Sequence, residues 1–180
     1  YEIAICDDEE KQRTYMKSLV ERWLHQTFHH AQIREYASSE QFLFEQAYDR
    51  TQILFLDIEM EKMDGIALAR EIRKHNRQMQ IIFVTGYMEY IQEGYDVEAL
   101  HYLLKPVSQE KIDSVLDRAV ERLKTADAVL LVESGGEVLR LPLKEIRFIE
   151  SNRNYNIIHA DNDYEMRGTL SELEEKLDEA

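Results

Sequence analysis

Asp57 ends the apolar run Ile53-Leu54-Phe55-Leu56, and Glu59, Glu61 and Asp64 follow it closely. Three other apolar runs end on polar groups: Ile3-Ala4-Ile5-Cys6 on Asp7-Asp8, Ile81-Ile82-Phe83-Val84 on Thr85, and Tyr102-Leu103-Leu104 on Lys105-Pro106. Short apolar runs bounded by polar residues read as buried strands. Four strands would then deliver acid, acid, hydroxyl and ammonium to one edge of a sheet. Three carboxylates held close together raise one another's pKa unless a cation joins them, and Mg²⁺, which prefers oxygen ligands and keeps several waters, suits such a cluster. A divalent ion there would also bind an incoming phosphoryl group, with Lys105 and Thr85 completing the shell. Asp57 is the candidate nucleophile, forming an acyl phosphate.

Each group alone has a plainer explanation. Asp7-Asp8 could be a first-turn pair favoured by a helix dipole, Thr85 a strand residue, Lys105 a solvated charge and Asp64-Gly65 a turn. The joint pattern, each group at a strand end in the right order, carries the functional reading.

The elements that must position these groups alternate as βα units, which predicts a parallel sheet. Leu19, Val20, Trp23 and Leu24 recur at helical spacing after Asp8. Ser38 with Gln41 resembles a capping box and opens a second helix bearing Phe42 and Leu43. Ile66, Leu68, Ala69 and Ile72 mark a third helix from Gly65, residues 88–95 a fourth, and Ile112, Val115, Leu116, Ala119 and Leu123 a fifth from Ser108. The second strand is placed at residues 32–36. In a doubly wound sheet of order 2-1-3-4-5, ligands sit beyond the carboxyl ends of the strands flanking the reversal of strand order, where Asp7, Asp8 and Asp57 converge.

Periodicity turns strand-like after Thr125-Ala126-Asp127, which divides the chain into residues 1–125, a linker at 126–128 and a small, mainly β region at 129–180. That region reads as a hairpin around Gly135-Gly136, then strands at 146–150 and 155–159 joined by the loop Ser151-Asn152-Arg153-Asn154. A strand at 164–167 follows, and Thr169 with Glu172 caps a closing helix.

Composition narrows the function classes. The 180 residues are 44% hydrophobic with a net charge of −14, which disfavours nonspecific binding to nucleic acid or membrane. Residues 1–127 hold 16 Lys/Arg against 24 Asp/Glu, and residues 128–180 hold 6 against 12, so neither region is basic. No apolar stretch approaches the roughly 20 residues needed to span a bilayer. One cysteine, Cys6, excludes an intramolecular disulfide and suits a reducing cytoplasm. Tyr1 stands where an initiator Met would, which reads as a trimmed or processed chain. The six histidines show no metal-ligand spacing.

The constellation over residues 2–124 resembles the receiver domain of bacterial response regulators. The matching text is Ile5-Cys6-Asp7-Asp8, Phe55-Leu56-Asp57-Ile58-Glu59-Met60, Met63-Asp64-Gly65, Phe83-Val84-Thr85-Gly86 and Tyr102-Leu103-Leu104-Lys105-Pro106. The resemblance implies a flavodoxin-like fold in which Asp57 accepts a phosphoryl group from a sensor histidine kinase. It implies that Asp7, Asp8, Asp57 and the backbone carbonyl of Glu59 serve Mg²⁺, and that Thr85 and Lys105 contact the phosphoryl oxygens. A cis Lys105-Pro106 peptide is implied too, with Thr85 and Tyr102 as the switch pair that reshapes a dimerising face formed by the fourth helix, fifth strand and fifth helix. Glu59 and the bulky Tyr87 beside the site predict slow self-dephosphorylation.

Residues 129–179 resemble the first part of a LytTR DNA-binding domain, through Ile146-Arg147-Phe148-Ile149-Glu150-Ser151, Tyr155 and Arg167-Gly168-Thr169-Leu170 with Leu173 and Leu177. This implies a cytoplasmic transcription regulator that homodimerises on phosphorylation. Asn152, Arg153 and Asn154 would contact DNA. Such modules continue further with basic residues, and DNA affinity depends on phosphate neutralisation, so these 180 residues alone are expected to bind DNA poorly. Two alternatives stand beside this reading. One is a phosphorylation-dependent interaction module without DNA output. The other is a Mg²⁺-dependent phosphohydrolase of the haloacid dehalogenase type, whose Asp-x-Asp pair is replaced here by Asp57-Ile58-Glu59.

Overall fold

The computed structural model describes residues 1–86, 97–134, 137–152 and 154–178. The expected fourth helix at 88–95, Tyr87, the Gly135-Gly136 turn and Arg153 lie outside the described residues. The chain divides into two compact units, Tyr1–Val120 and Glu121–Ala180.

In the first unit, β1 (Glu2–Cys6), β2 (Gln32–Tyr36), β3 (Ile53–Leu56), β4 (Gln80–Thr85) and β5 (His101–Leu104) form a parallel sheet of order β2-β1-β3-β4-β5. This is the flavodoxin-like order. Strands β1, β3 and β4 are buried almost throughout, as expected where helices cover both faces of a parallel sheet. Alternation divides their side chains. Ala4, Cys6, Leu54, Leu56, Ile81 and Phe83 share a core with Phe42 of α2 (Ser39–Phe44) and Ile66, Leu68, Ala69 and Ile72 of α3 (Gly65–His75). Each Leu, Ile or Phe side chain buried this fully contributes about 1.5–3 kcal/mol. Ile3, Ile5, Ile53 and Phe55 point to the opposite face.

Helix α1 (Glu10–Thr27) buries Met16, Leu19, Val20 and Trp23. The Trp23 Nε1–H donates to Asp117 Oδ1 at 2.9 Å and so ties α1 to α4 (Gln109–Asp127). Helix α2 is capped as expected, because Ser38 Oγ accepts from the Gln41 N–H while Gln41 Oε1 accepts from the Ala37 N–H. Helix α4 continues through residues 126 and 127 of the expected 126–128 linker, and β6 begins at Val129.

The second unit is mainly β. Strands β6 (Val129–Ser134) and β7 (Glu137–Pro142) form an antiparallel pair, and β8 (Phe148–Asn152), β9 (Tyr155–His159) and β10 (Asp163–Arg167) form a sheet of order β10-β9-β8. Strand β8 begins two residues later than the hydrophobicity suggested, because Leu143–Glu145 forms a 3₁₀ turn ahead of it. It also runs further, since Ser151 and Asn152 pair with Asn156 and Tyr155. The expected four-residue loop is therefore a two-residue connection, and Asn152 belongs to a strand. Helix α5 (Leu170–Asp178) opens on a reciprocal cap: the Thr169 N–H donates to Glu172 Oε2 and the Glu172 N–H to Thr169 Oγ1. Leu130, Val132, Leu141, Ile158, Ala160, Met166 and Leu173 form its core.

Candidate functional site

Strand register sets the carboxyl edge. Cys6 pairs with Leu56 and Thr85 with Leu104, so the residues after these positions emerge side by side. The Asp57 N–H donates to the Cys6 carbonyl at 2.8 Å and the Lys105 N–H to the Thr85 carbonyl at 2.9 Å, which extends the ladder by one residue at each point. Lys105-Pro106 is cis.

Asp7 and Asp57 are 3% and 5% exposed, whereas Asp8 faces solvent. The three offer carboxylate oxygens that all lie within 4.8 Å of one another, and they are the one such group among the described residues able to hold a metal ion. Lys105 Nζ donates to Asp7 Oδ2 and Asp57 Oδ2, each at 2.8 Å. Burial pushes the Asp57 carboxyl above its ordinary range, against the opposing pull of Lys105 and of the Glu59 backbone N–H. For Lys105, burial works against the charge, but hydrogen bonds to Asp57 and Asp7 outweigh it and the ammonium is held above its usual range. The same contacts thus satisfy the lysine while leaving Asp57 incompletely compensated, a state that a divalent cation would relieve.

The acidic pair is braced from α1. Asp7 Oδ1 accepts from the Glu9 N–H at 2.9 Å, and Arg13 Nη1 donates to the carbonyls of Asp7 and Asp8 at 2.7 and 3.1 Å. Sequence reasoning did not single out Arg13. Its signal is one of spacing, since a residue in the first turn and a half of a helix can reach back to the strand end that precedes it.

On the other side, Asp64 caps α3 by accepting from the Ala67 N–H at 2.7 Å, and the Gly65 N–H donates to the Ile58 carbonyl at 2.9 Å. An open cleft of about 410 Å³ leads to the cluster, lined by Asp8, Ile58, Glu59, Met60, Glu61, Asp64 and Ile66. Thr85 is buried at the end of β4, and Tyr102 on β5 is half-buried and stacked on Phe83 at 5.1 Å. The edge therefore brings together Asp7, Asp8, Asp57 and Lys105, with Glu59 lining the cleft beside them.

Cys6, directly beneath, is fully buried with its thiol pushed up to about 12, chiefly by burial and then by the charge of Asp7. It packs its sulfur 3.8 Å from that of Met60. In the second unit Asn152 ends β8, paired with Tyr155, and Asn154 lies in the connection to β9.

Residues 3–117 match the response regulator receiver domain family, and residues 136–180 match the LytTr DNA-binding domain family. The chain belongs to the response regulator receiver family. This response regulator couples a receiver to a DNA-binding domain, the organisation of two-component transcription regulation. It is similar to accessory gene regulator protein A of Staphylococcus epidermidis, with 31% identity over 187 residues, 95% of this chain and 79% of that protein. Sensory transduction protein LytT of Enterococcus faecalis is 26% identical over 190 residues, 97% of this chain and 76% of that protein. Among solved structures, the receiver domain of AraT from Geobacillus stearothermophilus, a response regulator, aligns with a TM-score of 0.60 at 26% identity, covering 69% of this chain and 95% of that one. Membership in this family favours the receiver reading over the phosphohydrolase one. No helix among the described residues is long and apolar enough to cross a membrane.

Proposed function

We propose that Asp57 accepts a phosphoryl group from a sensor histidine kinase and that the phosphorylated receiver controls DNA binding by the LytTR region. One observation carries this reading: Lys105 Nζ bridges Asp7 and Asp57 at 2.8 Å each, within a cluster of three carboxylates. In the transfer, an Asp57 oxygen forms a bond to phosphorus as the bond from phosphorus to the donor's nitrogen breaks, and the nitrogen keeps that electron pair. Asp7, Asp8, Asp57 and the Glu59 carbonyl are the proposed Mg²⁺ ligands, and the ion, when bound, neutralises charge on the transferring group. Lys105 supplies a fixed positive charge to the phosphoryl oxygens, and Thr85 a hydroxyl. The chain turns over no substrate beyond its own phosphotransfer and dephosphorylation.

The readout proposed is a population shift. Thr85 moves toward the phosphoryl group, Tyr102 follows it inward, and the face around β5 and α4 becomes competent to dimerise in the cytoplasm. Residues 1–125 act as the phosphorylated switch and residues 129–180 as output, with 126–128 between them. Asn152, Arg153 and Asn154 are the proposed DNA contacts. Mass spectrometry of wild type and Asp57→Ala after acetyl phosphate and Mg²⁺ tests the reading: one phosphoryl addition is expected in wild type alone, and equal addition to the variant would sink it.

A further inference from the structure

Helix α1 braces the acids through Arg13, and two residues further on it reaches the other side of the site. The Tyr15 hydroxyl donates to the Val107 carbonyl at 2.7 Å. Val107 stands two residues after Lys105. Two more hydrogen bonds follow along α1 at four-residue spacing: Gln109 Nε2 donates to the Leu19 carbonyl at 3.0 Å, and Trp23 Nε1 to Asp117 Oδ1 at 2.9 Å. Those two fasten α4 itself, whereas the Tyr15 bond falls on the turn that carries the lysine. Tyr15 is 43% exposed, so burial of its ring does not account for the contact.

Lys105 is tied to the sheet on its amino side, where its N–H donates to the Thr85 carbonyl, and its ammonium ends 2.8 Å from both Asp7 Oδ2 and Asp57 Oδ2. A lysine side chain has many rotamers, so the place of the ammonium depends on how firmly the backbone at its root is held. We propose that Tyr15 is a positioning residue for phosphoryl transfer: through the Val107 carbonyl it fixes the turn after Lys105, so that the ammonium meets the phosphoryl oxygens at Asp57. This rests on Asp57 being the phosphoacceptor. Without the hydroxyl, Lys105 keeps its charge but is held less firmly, which weakens its hold on the transition state. The effect on Mg²⁺ has the opposite sign. Ammonium and ion share Asp7 and Asp57, so a looser ammonium opposes the ion less. A general loosening of the fold would instead weaken both.

The test measures, in the full chain, the rate of labelling by acetyl phosphate at saturating Mg²⁺ and, separately, Mg²⁺ affinity by calorimetry. Tyr15→Phe keeps the ring and removes the hydrogen bond. It is expected to slow labelling about fivefold, with Mg²⁺ binding unchanged or up to about threefold tighter. In a Lys105→Ala background the same substitution should leave Mg²⁺ affinity where Lys105→Ala alone puts it, because the ammonium that Tyr15 positions is gone. Labelling of Tyr15→Phe at the wild-type rate, weaker Mg²⁺ binding by that variant, or a further change of affinity in the double variant would overturn the inference alone. A wild type that takes no label, or an Asp57→Ala variant that takes as much, would overturn the phosphoacceptor reading and this inference with it.

Discussion

A methyl group on Gly65 would sit 2.0 Å from the carbonyl oxygen of Asp57. The start of α3 therefore touches the backbone of the central carboxylate directly, and a side chain there must displace Asp57 or the helix. Gly65→Ala should lower stability by about 1–3 kcal/mol, the usual cost of overpacking, and should slow phosphorylation well below the melting temperature. Thermal denaturation paired with phosphorylation kinetics at low temperature checks both parts. Wild-type kinetics in a destabilised variant would mean that Gly65 packs without positioning Asp57.

Arg13 holds the carbonyls of Asp7 and Asp8, so it should set the direction of both carboxylates. Arg13→Ala is expected to weaken Mg²⁺ binding about tenfold, in line with other groups that orient metal ligands. Lys at this position should recover only part of the affinity, because it lacks the planar fork. Calorimetric Mg²⁺ titration is the measurement, and an unchanged affinity would remove Arg13 from the site.

Burial holds the Asp57 carboxyl above its ordinary value of 3.8. For a carboxylate shifted upward, the unfolded chain ionises first, so its contribution to stability is greatest below the unfolded pKa and is lost as pH rises through the folded pKa. Asp57→Asn should therefore be more stable than wild type at neutral pH without metal, and the gap should narrow as pH falls toward the ordinary carboxylate range. Saturating Mg²⁺ should narrow it too, because the ion stabilises the ionised wild type. Melting temperatures at neutral and acid pH, with and without Mg²⁺, decide this, and a less stable Asp57→Asn at neutral pH would contradict it.

Asn156 is fully buried on β9 and donates Nδ2 to the Gly168 carbonyl at 3.0 Å, pinning the turn that leads into α5. Asn156→Ala leaves that carbonyl without its donor and should cost about 1–3 kcal/mol in the second unit. Urea denaturation followed by hydrogen exchange of β8 to β10 should show the loss confined there. A uniform loss across both units would be evidence against a local role.

Much of this was legible in the sequence because buried parallel strands leave continuous apolar runs, and these four runs stop at two acids, a hydroxyl and an ammonium. Even β2, with its mixed exposure pattern, fell at residues 32–36 as expected. The limits of β8 were not legible: Ser151 and Asn152 have no strong strand preference, and their pairing with Asn156 and Tyr155 is decided by the partner strand. Arg13 and the Gly65–Asp57 approach were hidden for a related reason. Both join residues of neighbouring elements through backbone carbonyls, and a carbonyl leaves no mark in the sequence.

The most direct test of the central claim is to reduce the phosphorylated protein with borohydride, which converts an aspartyl phosphate to homoserine, and to map the product by peptide mass spectrometry. The account predicts homoserine at position 57 alone, formed only when phosphoryl donor and Mg²⁺ are both present. Homoserine at position 7 or 8, or at position 57 without Mg²⁺, would contradict it.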